Sequence, residues 1–515
     1  MLVHLPSKRI VLNLKNPERV TTVIPGARVF DYKGSQLVAV PHRIDEVRVL
    51  RNLGIRAPSP IVHHYNWPRG HSYDPFFAQV ETSQFLTLNA RAFVLNSMGT
   101  GKTLAVLWAY HYLRSIGVAV KLLVISPLST LERTWGDEIF RHFPDLNFCI
   151  MHGDKAKRLK LLADDFDVYI VNHHGIRVIE KELIEKGIDT LCVDEGAIFR
   201  NASTDLWKSL NRIAKDPDRL WWLTGTPTPN APTDAWAQAR IVSPERVPRY
   251  AGKFRDMVQR QSGPFRWINR EGATDVVADA MQPAVRFTRD QCMDLPPCIY
   301  QTREVPFTPE QKAAYKSMLA QLHMEFQGGQ VQAVNEAVKM SKLVQIACGV
   351  VYGVDGVEIV LPNKPRITEV IDTIEQASTK SIVFVPYKAV LRYVVSELTA
   401  HGLRVGVISG DVPAGQRAVI FKQFQDGHLD VIAAQPAAMS HGLTLTAANT
   451  VIWYAPVTSN ETYEQANARV TRPGQKHTQF IVHIEGSPVE RGIYKRLQGK
   501  QKMQGLVLEL IKENN

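Results

Sequence analysis

The stretch Ala92–Leu113, AFVLNSMGTGKTLAVLWAYHYL, decides the fold. A short apolar run leads into a glycine-containing loop and then a helical pattern, so it reads as strand, loop and helix in succession. Gly101-Lys102-Thr103 matches the end of the phosphate-binding loop pattern, whose glycines let backbone N–H groups turn toward phosphate oxygens. Met98, Gly99, Thr100 and Gly101 would form that cradle, Lys102 would reach the β- and γ-phosphates, and the Thr103 hydroxyl would hold Mg²⁺. The helix N-terminus adds its dipole and free N–H groups. The strict pattern has glycine where this chain has Asn96; the strand–loop–helix context compensates.

Working outward, the same grammar repeats. From about Tyr73 to Pro244, buried-type strands (AFVLN, KLLVIS, DVYIVN, TLCVDE, LWWLTG) alternate with helical stretches, the signature of a parallel sheet with helices on both faces. It returns from about Lys380 with SIVFVP, RVGVISG, DVIAAQ, NTVIWY and QFIVHI. Two α/β lobes in tandem are expected. Ligands of such sheets bind at the carboxyl ends of the strands, so one can sit in a cleft between the lobes. Two helical patterns intervene, with Gly328-Gly329 as a break. Ahead of the first lobe, RIVLNLK, ARVFDYKG and SQLVAVP read as strands and RIDEVRVLRNLGI as a helix, giving a small α+β module. The expected layout is an accessory module over 1–72, lobe one over 73–245, a connecting segment over 246–300, and lobe two over 301–515 with a helical insertion at about 307–348.

The bulk numbers fit a multidomain globular protein. The chain has 515 residues, 45% apolar and 22% charged. Its formal charge of +11 favours a polyanionic partner, nucleic acid first. The N-terminal module alone carries eleven Lys and Arg from Lys8 to Arg69 against five Asp and Glu from Glu18 to Asp74. Five scattered cysteines without a CxxC argue against a disulfide framework or structural zinc and point to a reducing compartment. With no membrane-length apolar run and no signal-peptide pattern, a cytoplasmic, nucleoid-associated location without membrane contact is expected.

Three further segments carry chemistry. In TLCVDEGAIFRN, a buried strand delivers Asp194 and Glu195 about ninety residues after the phosphate loop. The first can hold Mg²⁺ through its water shell, and the second can orient or deprotonate an attacking water. LWWLTGTPTP ends a strand in Thr224, Gly225 and Thr226, small residues suited to sensing a γ-phosphate. QANARVTRPGQKH, Gln465–His477, carries Gln465, Arg469 and Arg472. On a helix those three share one face and could reach an anion.

Together these segments resemble motifs I, II, III and VI of superfamily II helicases and translocases, nearest the SWI/SNF-like branch. ISPLSTLERTWGDEI resembles motif Ia, with Pro127, Trp135 and Glu138 in matching places, and IVNHHGI resembles motif Ib, with Asn172. SIVFVPYKAVLRYVVSEL resembles motif IV, ISGDVPAGQRAVIFKQFQDG the next strand and helix with Arg417, and SHGLTLTAANTVIWYAPV motif V with Gly442 and Thr446; Gly474 and Gln475 complete motif VI. The resemblance covers roughly Tyr73 to Ile484. It implies two RecA-like lobes and an ATP- and Mg²⁺-dependent motor. Lys102, Asp194 and Glu195 would act from lobe one, and Arg469 and Arg472 from lobe two. Gln79 would read adenine, while Gly442 and Gln465 would line the nucleotide site. Pro127, Asn172, Thr224, Gly225 and Thr446 are the candidate nucleic-acid contacts.

The partner implied is duplex or branched DNA, with RNA left open. The activity implied is translocation coupled to fork or junction remodelling, branch migration or annealing, in the replication, recombination or repair of a bacterium or bacteriophage. Two alternatives stand beside it: a nucleotide-gated DNA-binding scaffold without turnover, and the motor subunit of a restriction or defence complex.

Overall fold

Short apolar runs become the strands of two separate parallel sheets. The computed structural model describes residues 1–68, 74–229, 231–263, 266–292, 296–327, 333–352, 357–439, 445–472 and 475–499. The chain folds as two units that divide after Cys292.

The first unit starts with an antiparallel sheet of β1 (Leu2–His4), β2 (Arg9–Asn13), β3 (Arg28–Tyr32) and β4 (Ser35–Pro41), in the order β1-β2-β4-β3. Lys33 (φ 49°) and Gly34 (φ 78°) make the β3–β4 turn, both left-handed as a tight two-residue hairpin requires. A parallel sheet follows, built from β5 (Arg91–Val94), β6 (Leu122–Ser126), β7 (Phe148–Met151), β8 (Val168–Asn172), β9 (Thr190–Val193) and β10 (Arg219–Leu223). A hairpin of β11 (Gln259–Gly263) and β12 (Arg266–Asn269) stands apart, and β13 (Ala284–Val285) closes the sheet order β13-β5-β10-β9-β6-β8-β7.

Both faces of this sheet are buried, which is why its strands are apolar rather than alternating. Val94, Val124, Ile170 and Trp221 belong to one core, and their neighbours Phe93, Ile125, Tyr169 and Trp222 to the other. The first core also holds Ile10, Val38 and Val47 of the N-terminal module together with Trp108 and Leu113 of the helix Lys102–Ser115. Polar contacts reinforce the junction. The Tyr65 hydroxyl lies 2.8 Å from His111 Nδ1, His111 Nε2 lies 2.8 Å from Asp145, and Trp108 Nε1–H donates to the Pro68 carbonyl at 2.9 Å.

Residues 246–292, expected as a connecting segment, are built into this unit. Phe254, Val258, Val277 and Ala284 are buried in its core. The Phe93 and Leu95 N–H groups donate to the Pro283 and Val285 carbonyls. A strand of two residues shows no readable alternation, so the sequence pattern fades at Pro244 while the sheet continues.

The second unit contains β14 (Cys298–Glu304), the antiparallel pair β15 (Val350–Tyr352) and β16 (Glu358–Val360), then β17 (Lys380–Phe384), β18 (Val405–Ile408), β19 (Val431–Ala434), β20 (Ala448–Trp453) and β21 (Gln479–Glu485). Its parallel sheet runs β14-β21-β20-β17-β19-β18. The expected intervening helices are Pro309–Gln327 and Ala333–Cys348; Gly328-Gly329 lies outside the described residues. Alternate residues again face two cores, Val383 and Ile452 toward one, Phe384 and Trp453 toward the other.

His483 on β21 gives this unit a pH dependence. It is buried between Tyr463, whose hydroxyl lies 2.7 Å from Nε2, and Tyr494, whose ring stacks on it at 4.2 Å. Burial pushes its pKa down from 6.5 to about 4. The unfolded chain therefore takes up a proton near 6.5 that the folded chain refuses until about 4. Stability contributed by the neutral ring is complete above the upper value and lost as pH falls toward the lower one, by ~3 kcal/mol across the window. Urea unfolding at pH 7.5 and at pH 5 is expected to show about 2 kcal/mol of this loss, and His483→Phe should flatten it. An unchanged pH dependence in that variant would remove His483 as its source.

Among the described residues, no helix is long and apolar enough to cross a membrane.

Candidate nucleotide site

The phosphate loop runs from the carboxyl end of β5 to the helix Lys102–Ser115. Gly99 (φ 79°) and Gly101 (φ 74°) both take the left-handed conformation that turns successive N–H groups inward. Lys102 Nζ donates to the Asn96 carbonyl at 2.9 Å and to the Ser97 carbonyl at 3.3 Å, so its charge rests on the loop's own carbonyls. Thr100 is buried and donates to the Ser97 carbonyl. Thr103 is partly exposed on the first helical turn.

Asn96 explains the departure from the strict pattern. Its Nδ2 donates to Thr82 Oγ1 at 2.8 Å, and its Oδ1 accepts the Phe287 N–H at 2.9 Å. A glycine there would leave both partners without this buried bridge between the helix Phe77–Leu88 and the residues beyond β13. Asn96→Gly is expected to destabilise the first unit by about 1–3 kcal/mol, measured by chemical denaturation. Stability within error of the original would make the bridge energetically idle.

Gln79 is 1% exposed, and its carboxamide is already committed. Oε1 accepts the Phe76 N–H at 2.9 Å, and Nε2 donates to the Gly101 carbonyl at 3.3 Å. In this arrangement Gln79 props the phosphate loop rather than presenting an edge to adenine. A Cβ on Gly101 would fall 2.1 Å from Gln79 Nε2, so glycine is needed there for space as well as for φ.

Because β10 lies between β5 and β9, the three parallel strands end side by side at the edge from which the loop leaves. Gly225 approaches Met98, with a built Cβ 3.2 Å from Met98 Cγ. Thr224 is fully buried, and its hydroxyl accepts the Thr226 N–H at 3.1 Å. Its side chain serves the turn, not the surface.

Asp194 directly follows β9, with its carboxylate fixed by three donors. Ser126 Oγ at 2.9 Å and Trp135 Nε1–H at 3.0 Å donate to Oδ2, and the Glu195 N–H donates to Oδ1 at 3.0 Å. His173 Nε2 lies 2.8 Å from the Asp194 carbonyl, and burial lowers the pKa of that imidazole. Glu195 sits at φ 49°, a conformation that costs a non-glycine residue about 1–3 kcal/mol. Gly196 follows because a Cβ there would meet Trp222 Nε1 at 2.1 Å.

Of the other first-unit residues, Pro127 caps a short turn at the end of β6. Asn172 Oδ1 accepts from buried Arg158 at 3.1 Å, with burial lowering the Arg158 pKa.

In the second unit the helix Asn460–Asn467 ends before either arginine. The expectation that Gln465, Arg469 and Arg472 share one helix face is therefore overturned. The Arg469 carbonyl accepts the Leu445 N–H at 3.0 Å, a partner outside any helix. Gln475 ties the following turn to the sheet, Nε2 donating to the Ala448 carbonyl at 2.8 Å and Oε1 accepting the Lys476 and His477 N–H groups. Arg469 is buried, and Arg472 is half-buried with Nε donating to the Ala468 carbonyl at 3.2 Å. Gln465 is buried, and Nε2 donates to Glu461 at 3.3 Å. Thr446 is partly exposed; Gly442 and Gly474 lie outside the described residues. A cavity of about 920 Å³ opens at the carboxyl ends of β17 to β20, lined by Tyr387, Arg417, Gln435, Ser459 and Arg496 among others.

Residues 87–348, just over half of the chain, match the SNF2-related domain. The chain belongs to the SNF2-related family. Residues 365–474 of this SNF2-related chain also match the helicase conserved C-terminal domain. It is 26% identical over 448 residues to protein p41 of Acyrthosiphon pisum secondary endosymbiont phage 1, covering 82% of this chain and 95% of p41. It is 24% identical over 420 residues to the DNA annealing helicase and endonuclease ZRANB3 of Bos taurus, covering 76% of this chain and 36% of ZRANB3. The SWI2/SNF2 ATPase core of Sulfolobus solfataricus, solved in complex with double-stranded DNA, aligns at 21% identity and a TM-score of 0.42, covering 86% of this chain and 94% of that one. The chain spans 36% to 58% of the length of the eukaryotic relatives it matches. The SNF2-related chain is thus an ATP-hydrolysing enzyme of the helicase and translocase class.

Sequence reasoning placed Trp135 in a motif without giving it a task in this SNF2-related protein, yet its indole N–H is one of the three donors on Asp194. The only signal was its position in a segment likened to motif Ia. Asn96 is visible in the sequence only as a departure from the strict pattern, and its bridging role is set by the fold.

Proposed function

We propose that the chain is a DNA translocase that couples ATP hydrolysis to movement on duplex or branched DNA. The observation that carries this reading is the first-unit constellation: a left-handed glycine pair, Lys102, and an Asp194 carboxylate fixed by three donors, all at the carboxyl edge of one parallel sheet. Lys102 would exchange its loop carbonyls for phosphate oxygens. Thr103 and Asp194 would hold Mg²⁺, which supplies charge neutralisation for the transferring phosphoryl group. Glu195 would orient the attacking water and accept its proton. Arg472, with Arg469 beside it in sequence, would supply the second unit's positive charge as the γ-phosphate leaves.

DNA as the track is supported by the net charge of +11 and by the name of ZRANB3, a DNA annealing helicase. The module over 1–72 would help recognise forks or junctions. The layout of lobe one from 73, with 246–292 built into it, and lobe two from β14 onward, with Pro127, Asn172, Gly225 and Thr446 toward the nucleic acid, belongs to this proposal. So do roles in replication, recombination or repair and an origin near bacteria or their phages, for which p41 is the support.

The test is steady-state phosphate release on linear duplex, single strand, fork, four-way junction and RNA across a salt series. Stimulation by DNA that falls steeply with salt is expected. A folded protein that binds DNA without stimulated turnover would instead be the nucleotide-gated scaffold.

A further inference from the structure

Strands β2 and β4 of the N-terminal sheet bury one face only, while the edge strand β3 is exposed along its whole length. Ile10, Leu12, Val38 and Val40 are fully or almost fully buried, so the residues between them point outward. The pairing register carries that alternation across the sheet. Arg28 lies opposite Ala39, Phe30 opposite Leu37 and Tyr32 opposite Ser35, with Val11 beyond Ala39 and Asn13 beyond Leu37.

On this outward face Phe30 is 39% and Tyr32 56% exposed. The two rings stand two residues apart on the edge strand β3, so they share a side of the sheet. Cations frame them. Arg28 is exposed on the same strand, and Lys33 Nζ lies 5.4 Å from the centre of the Tyr32 ring. Arg9, on the same face, bridges the Gly26 and Ala39 carbonyls at 3.0 and 3.2 Å, so its charge stays beside the apolar surface. Among the described residues of the four strands, none that faces outward is acidic; Asp31, paired with Gln36, has the opposite parity.

An apolar face kept in water suits several partners, and its charge separates them. A protein strand or a second copy of this chain would gain little from a face whose outward strand residues carry cations and no carboxylate, Asp31 being exposed with the opposite parity. Single-stranded nucleic acid gains from both features, since each base offers a π face to an aromatic ring and each phosphate a charge to Arg or Lys. A base-paired duplex keeps its bases stacked on one another and cannot use the rings in this way. We propose that this sheet face binds single-stranded nucleic acid, with bases stacked on Phe30 and Tyr32 and the backbone tracked by Arg28 and Lys33. The site needs neither ATP nor the motor's own grip on its track. It would let the enzyme hold the unpaired arm of a branched substrate.

The test uses the full chain and a fluorescent oligo-dT, followed by anisotropy without nucleotide. Phe30→Ala/Tyr32→Ala removes only exposed rings, and thermal unfolding checks that the variant remains folded. Its affinity for oligo-dT is expected to drop about 10-fold or more. Arg28→Glu/Lys33→Glu should weaken binding and reduce its salt dependence. Oligo-dT affinity within twofold of the original in both variants would overturn the proposal. So would a concentration-dependent dimer abolished by the aromatic variant while oligo-dT binding persists. Duplex-stimulated phosphate release by the unaltered enzyme reports on the motor reading separately, so the two can fail independently.

Discussion

Glu195→Gln is expected to reduce ATP turnover by about 10²- to 10⁴-fold, the usual contribution of a positioned general base. Nucleotide binding should stay within a few-fold of the original. The substitution is nearly isosteric and leaves the backbone at φ 49°, so the geometry of β9 and the three donors on Asp194 is untouched. Only the capacity to take a proton is removed. A companion variant isolates the backbone: Glu195→Gly relieves the left-handed strain, and a gain of about 1 kcal/mol in stability is expected together with the same loss of turnover. Single-turnover hydrolysis and fluorescent-nucleotide titration measure the two quantities. Turnover by Glu195→Gln within threefold of the original would move the base elsewhere in the site.

Arg472→Ala should cost more, about 10³- to 10⁵-fold in turnover, if its guanidinium meets the charge that develops on the γ-phosphate. The structure separates this arginine from its neighbour. Arg472 is half-buried, with Nε donating to the Ala468 carbonyl, so its removal is expected to change the unfolding midpoint less than removal of its buried neighbour. Arg469 is 4% exposed, and truncating it is expected to lower stability as well as activity. Arg472→Lys keeps the charge and loses the planar fork, so only partial recovery is expected. Phosphate release, nucleotide affinity and thermal unfolding on the three variants form the measurement. Normal turnover by Arg472→Ala would falsify its assignment as the charge-completing residue.

Much of this was legible in the sequence because the decisive features are local. A buried parallel strand is a run of apolar residues, and the chemistry sits where the run stops; that rule, with the glycine-lysine-threonine pattern of the loop, makes Lys102, Asp194 and Glu195 legible. What escaped depends on residues distant in sequence. The helix before Arg469 has no glycine or proline to end it; it stops where Leu445, more than twenty residues earlier, takes the Arg469 carbonyl and Gln475 reaches back to β20. The strand at Ala284–Val285 is too short to alternate and exists because β5 offers it an edge. The commitments of Gln79 and Trp135 are likewise tertiary: a carboxamide or an indole announces a donor, but its acceptor is chosen by the fold.

The aromatic and polar junction between Tyr65, Trp108, His111 and Asp145 bears on how such enzymes diversify. A domain joined to its motor by a linker can be exchanged among relatives like a cassette, and its loss leaves the engine running. Here the helix that begins at Lys102 is also a wall of the N-terminal module's core. Shortening the chain to its recognisable motor would strip that wall and expose Trp108 and Leu113 to water, so a truncated protein would report on a damaged engine rather than on a missing accessory. Substrate preference in this lineage would then have to change by substitution on the module's outer surface, one residue at a time, while its inner surface stays bound to the demands of the nucleotide.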